Sequence, residues 1–138
     1  MIRYLTVGLL VLSTGVLAGE ARPMKKTDTF CQERKELSSI TSQLPDYPLA
    51  SSLDTSAAVA GPMKFRPFGL LQAARGQPVC IAVVVDESGV VQDAAAYYPK
   101  RVLLSKLERE QLLAIPYTPA KQAGVPTKSI VLMKASID

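Results

Sequence analysis

Two cysteines and twelve carboxylates hold most of the chemistry open to this chain of 138 residues, because it contains no histidine. Without imidazole there is no Ser-His or Cys-His nucleophile pair, no histidine metal ligand and no side chain that ordinarily shuttles protons near neutrality. The G-x-S-x-G, S-x-x-K, H-E-x-x-H and P-loop patterns are missing as well. No spacing sets two carboxylates apart as an acid-base pair, so they read as solvated surface charge. The sequence therefore nominates no catalytic residue, no metal site, no cofactor and no small-molecule substrate. A non-enzyme is expected.

The meaning of Cys31 and Cys80 depends on the compartment. Met1 to Ala18 begins with a short stretch carrying Arg3, continues as an apolar run from Tyr4 to Leu17, and ends in Val16-Leu17-Ala18 with a small residue last. Such a run is too short to cross about 30 Å of hydrocarbon comfortably, which predicts a removable secretory signal. In an oxidising compartment an even pair of cysteines favours a disulfide, here closing a loop of about 50 residues. The competing reading is two buried thiols, with Cys80 packed like a small hydrophobe.

The formal charge is +4, and without residues 1–18 it falls to +3, since 16 cations lose Arg3 to leave 15 against 12 acids. That excess is mild and contains no long Lys/Arg run, so nucleic-acid binding is not expected.

Around these residues the elements follow from apolar periodicity. Pro78 to Asp86, P-V-C-I-A-V-V-V-D, is β-branched and apolar on both faces, the profile of a central strand. Asp86-Glu87-Ser88-Gly89 offers a turn, and Val90 to Tyr98 a second strand. Ser105 with Glu108 makes a capping box for a helix from about Lys106 to Ala114, with a stripe of Leu103, Leu104, Leu107, Leu112 and Ile115. A Pro- and Gly-rich loop, Pro116 to Pro126, leads to a last strand, Lys128 to Ile137.

Upstream, residues 19–28 read as a flexible polar start. Thr29 to Leu44 reads as an amphipathic helix with Phe30, Leu37, Ile40 and Leu44 inward and a Thr29/Gln32 capping box. Asp46 to Pro62 reads as a loop. Phe68 to Arg75 reads as a short helix burying Leu70, Leu71 and Ala74.

The fold class expected is α+β. Strand three runs parallel to strand two and antiparallel to strand one, so a purely antiparallel three-stranded sheet has the spatial order two, one, three; two helices on one face and the added N-terminal amphipathic helix complete the expectation. The organisation expected is a signal peptide at 1–18, an extension at 19–66 and a domain at 67–138. Strands two and three are left as edges.

Asp86-x-x-Gly89-x-Val91 after a hydrophobic strand, then a helix, then Tyr117-x-Pro119-Ala120-x-x-x-Gly124-x-Pro126 before a final strand, resembles the C-terminal domain of the TonB energy-transducer family. The likeness covers about residues 67–138. It implies a periplasmic domain that receives a segment of a protein partner, an outer-membrane transporter or another envelope protein, beside its last strand by β-augmentation. Carried over, the partner-binding edge is Ser129, Ile130, Val131, Leu132, Met133, Lys134, Ala135, Ser136 and Ile137; the alternative is an edge covered within the protein by the Thr29 helix or the Asp46 to Pro62 loop.

The chain departs from the family in having no histidine, a signal in place of an anchor, and a short spacer. A stand-alone exported binding module is therefore expected. The alternatives are a minimal membrane-anchored transducer and a structural or assembly protein whose exposed strand self-pairs into a homodimer.

Overall fold

The computed structural model describes residues 20–23 and 29–137. The signal expected at Met1 to Ala18 lies outside the described residues. No helix among the described residues is long and apolar enough to cross a membrane.

The fold is mixed α+β, built on antiparallel sheets. Its strands are β1 (Glu20–Pro23), β2 (Ala58–Val59), β3 (Val79–Val85), β4 (Val91–Tyr98), β5 (Tyr117–Thr118), β6 (Ala120–Gln122), β7 (Val125–Thr127) and β8 (Ser129–Ser136). The helices are α1 (Leu37–Thr41), α2 (Phe68–Ala73) and α3 (Lys106–Leu113), with a single 3-10 turn at Ala50–Ser52. The main sheet runs β1-β8-β3-β4.

β3 lies between its two expected neighbours, and all seven of its residues are buried. Its side chains alternate between two cores, as the pleat requires. Val79, Ile81, Val83 and Val85 share one cluster with Leu70 and Leu71 of α2 and Leu112 of α3. Cys80 and Ala82 share the other with Cys31, Leu37, Tyr97, Ile130 and Leu132. Helices α2 and α3 thus cover one face together with Ala50, Ala57 and Phe65, and the part of the extension from Phe30 to Leu49 covers the other.

That extension is tied down covalently. Cys31 and Cys80 are bonded, with their Cα atoms 5.5 Å apart. The Tyr97 O–H donates to Cys31 O at 2.9 Å, and burial raises the Tyr97 pKa well above its usual value, so the phenol stays a donor. Arg34 stacks over the rings of Phe30 and Tyr98, 4.4 and 5.4 Å from their centroids.

Four expectations need correction. The sheet has four strands rather than three, because Glu20–Pro23, inside the stretch read as a flexible start, pairs antiparallel with Met133 to Ser136. Its four residues have no apolar period, and they are held by pairing with the backbone of β8 and by burial of Ala21.

The Thr29–Leu44 helix shrinks to Leu37–Thr41, and the Thr29/Gln32 capping box gives way to a single turn in which Glu33 N–H donates to Thr29 O. Ser38, Ser39, Thr41 and Ser42 each turn their hydroxyl onto a carbonyl three residues back, a local competitor to helical propagation. The disulfide and the Tyr97 bond fix Cys31 before the helix begins.

Both presumed loops are partly ordered by pairing. Ala58–Val59 pairs with Tyr117–Thr118, and Ala120–Gln122 with Val125–Thr127, through a two-residue hairpin whose Ala123 and Gly124 both have positive φ. Finally, the α3 stripe is only partly inward: Leu112 and Ile115 are buried, whereas Leu103 and Leu107 face solvent. The expected capping box of Ser105 and Glu108 forms in both directions.

Candidate partner-binding edge

The residues that carried the family resemblance converge on one end of the main sheet. Asp86 Oδ1 accepts from the N–H groups of Ser88 (2.8 Å) and Val90 (2.9 Å), and its Oδ2 accepts from Gln92 Nε2. This turn brings Gly89, at φ +85°, against the Y-x-P-A segment. Tyr117 N–H donates to Gly89 O at 3.1 Å, and a Cβ on Gly89 would sit 2.0 Å from Tyr117 O and 3.5 Å from Pro119 Cδ. Val91, Tyr117 and Ala120 are buried in the helix-side core. Gly124 and Pro126 belong to the β6–β7 hairpin.

The motif therefore closes the turn, the hairpin and the core on one another. The Tyr117 O–H donates to Met133 Sδ at 3.7 Å, and burial raises its pKa to about 12.

Asp86 supports that turn as an anion. Hydrogen bonds, first among them the one from the Val90 N–H, hold its pKa below the ordinary 3.8. A depressed folded value means that its contribution is fully present above the unfolded value and is lost as pH falls through the folded one. Asp86→Asn is accordingly expected to lower the urea midpoint at neutral pH, with the gap to the parent closing below about pH 4. A gap independent of pH would rule out the charge as its source.

The expected partner edge is largely internal. Ser129, Ile130, Val131, Leu132, Met133 and Ala135 are buried, Lys134 and Ser136 are half-buried, and Ile137 is exposed. Ser129 stands opposite Val85, and its buried Oγ has no hydrogen-bond partner among the described residues. The outer edge of β8 is not open. Ile130 N–H donates to Pro48 O at 2.9 Å, Leu49 bridges Ile130, and β1 pairs with Met133 to Ser136. An open edge along Ser129–Ile137 is corrected to one occupied by the protein's own chain.

The register tells how firmly that occupant is held. Because the Ile130 N–H points outward, Lys134 and Ser136 also present their N–H and C=O groups to β1, while Val131 and Met133 turn theirs to β3. Arg22↔Lys134 and Glu20↔Ser136 are then the hydrogen-bonded pairs. Pro23, opposite Met133, puts its missing N–H on the outer side, where it costs no bond and blunts the new edge.

Two such pairs supply up to about four backbone bonds worth roughly 0.5–1.5 kcal/mol each. Ordering four residues costs on the order of 1–2 kcal/mol each. The strap is therefore close to balance, helped by burial of Ala21.

No family model, curated protein or solved structure matches this chain.

The opposite edge is poorly suited to a visitor. β4 pairs with β3 through two register shifts that leave Gln92 and Tyr97 as extra residues. Such bulges twist an edge away from further pairing. Among the described residues no three of His, Cys, Asp or Glu converge in a way that could hold a metal ion. Pro48 and Leu49 lie in the Asp46 to Pro62 loop expected as an alternative cover, whereas Glu20–Pro23 are the edge residues that sequence reasoning missed. Four residues ending in proline carry no strand signal that could have revealed them.

Proposed function

We propose that this chain is a non-catalytic, exported binding module of TonB type that receives an extended segment of an envelope protein beside Ser129–Ser136. Periplasmic placement and a link to TonB-dependent outer-membrane transport are parts of the same proposal. Because β1 already lies there, the partner enters by strand exchange rather than by simple addition. One observation carries the reading: a regular, buried eight-residue strand has its outer edge closed by a four-residue strap with two hydrogen-bonded pairs. The disulfide is consistent with an oxidising compartment.

The test uses two chains, one beginning at Gly19 and one at Thr29, with a synthetic peptide of residues 19–28 as probe. The peptide is expected to bind the shorter chain and to bind the longer one at least about tenfold more weakly, since the strap competes in cis. N-methylation at Arg22 of the peptide, which removes the N–H aimed at β8, abolishes binding, whereas N-methylation at Ala21 leaves it. Equal sensitivity at both positions, or no binding to the folded shorter chain, would refute an exchangeable edge.

The same edge supports a second reading, in which Glu20–Pro23 of one copy pairs with β8 of another. A mass by light scattering that rises from monomer to dimer with concentration selects it.

A further inference from the structure

Two separate segments that bear exposed apolar and cationic side chains meet where α2 and α3 begin. Arg66 N–H donates to Gln111 Oε1 at 3.1 Å, and the Cβ position of Gly69 lies 3.7 Å from Glu108 Oε2. The start of α2 thus rests on the first turns of α3. At this junction Phe68, Leu103 and Leu107 stay 56%, 78% and 64% exposed. They are half of the large hydrophobic side chains exposed among the described residues. Leu103 stands between buried Val102 and half-buried Leu104, so the corner that presents it is anchored.

Charge is concentrated in the same two segments. From 55 to 85 and from 94 to 107 there is no acidic residue, while Lys64, Arg66, Arg75, Lys100, Arg101 and Lys106 all occur there and all are exposed. These six cations against a whole-chain charge of +4 leave a sum of −2 for everything else. None of them is ion-paired within the described residues; the pair that does form nearby joins Arg109 to Asp93.

We infer that this corner docks on the surface of an anionic lipid bilayer, with Phe68, Leu103 and Leu107 entering the headgroup–acyl boundary and the surrounding cations meeting lipid phosphates. Single exposed apolar residues need no explanation, but three on adjoining segments that carry six cations do, the nearest carboxylate, Glu108, being engaged in the α3 capping box. Bulky apolar tips fit hydrocarbon and have no use against a nucleic-acid backbone, and cations around them match an anionic headgroup layer. The surface is distinct from the β8 edge, so this inference does not depend on strand exchange.

Cosedimentation of the disulfide-bonded chain with vesicles of phosphatidylglycerol mixed into phosphatidylcholine tests it. Binding is expected to exceed that to pure phosphatidylcholine by at least about tenfold and to weaken sharply as salt shortens the screening length. Phe68→Ser with Leu107→Ser, at exposed positions, keeps the circular dichroism spectrum and the urea midpoint while losing most vesicle binding. Lys100→Glu with Arg101→Glu does the same. Equal binding to both vesicle types, no partition at all, or full binding by the serine variant would each overturn the inference. The last result would leave a general polyanion or acidic-protein surface instead.

Discussion

Replacing both cysteines, Cys31→Ala with Cys80→Ala, is expected to destabilise the protein by about 4 kcal/mol through the chain entropy of the opened loop alone. The bond spans 49 residues and both cysteines are fully buried. For a domain of this size that corresponds to a thermal midpoint lower by roughly 10–20 °C. The loss also has a location. With the tether gone, residues 29–49 keep the Tyr97 bond, the Arg34 stack, the packing of Leu37 and its neighbours against the sheet, and the backbone contacts of Pro48 and Leu49 with Ile130, none of them covalent.

That face, with Ala82, Ile130 and Leu132, then becomes accessible to a hydrophobic dye. Hydrogen exchange should quicken from Cys31 to Leu49 before it quickens in β3. A midpoint within a few degrees of the parent, or uniform exchange throughout, would show that packing alone holds the extension.

The second large effect is Gly89→Ala. A non-glycine residue at positive φ costs roughly 1–2 kcal/mol by itself. Here the added Cβ also meets Tyr117 O at 2.0 Å, and a backbone oxygen cannot rotate away as a side chain can. Relief requires the turn and the Tyr117–Ala120 segment to separate, which breaks the Tyr117 N–H to Gly89 O bond and unseats Tyr117 from the core. The expected loss is about 3–4 kcal/mol, at the upper end for single substitutions.

Gly76→Ala is the control, because Gly76 has φ +82° with no atom within 4 Å of its Cβ position. It should cost only the conformational part, about 1–2 kcal/mol. Denaturant unfolding of both variants decides: equal losses would mean that close approach to Tyr117 contributes nothing.

The contrast between these two glycines also bears on how much of the fold was legible in advance. That Gly89 sits in a turn was readable, since Asp86-Glu87-Ser88-Gly89 interrupts two apolar runs. That it is pressed against Tyr117, 28 residues onward, was not, although both belong to the recognisable motif. Elements whose periodicity or capping is self-contained were read closely: β3 from its β-branched run, α3 from its Ser105/Glu108 box, α2 from Leu70, Leu71 and Ala74, all buried. Elements that exist only as someone else's partner were missed.

The binding edge shows the same division. The sequence identifies Lys128 to Ile137 as a strand, but which of its residues turn their N–H groups outward depends on the pairing with β3. That choice assigns Ile130, Lys134 and Ser136 to the outer side and Val131 to the inner. The stripe of α3 erred for a related reason, since a hydrophobic residue is buried only where another element covers it, and nothing covers Leu103 or Leu107.

From its residues alone the chain determined an antiparallel α+β architecture, a fully apolar middle strand, a capped third helix and a pair of cysteines suited to bonding. These follow from interactions between near neighbours and from alternation along a strand, which local order encodes. The tertiary structure decided that the cysteines join across two sheet-facing segments, that Glu20–Pro23 closes the edge of the last strand, and that two cationic, apolar segments share a corner. Those outcomes depend on which distant backbones and surfaces meet, and a four-residue strap or an uncovered leucine carries no local signal of the company it will keep.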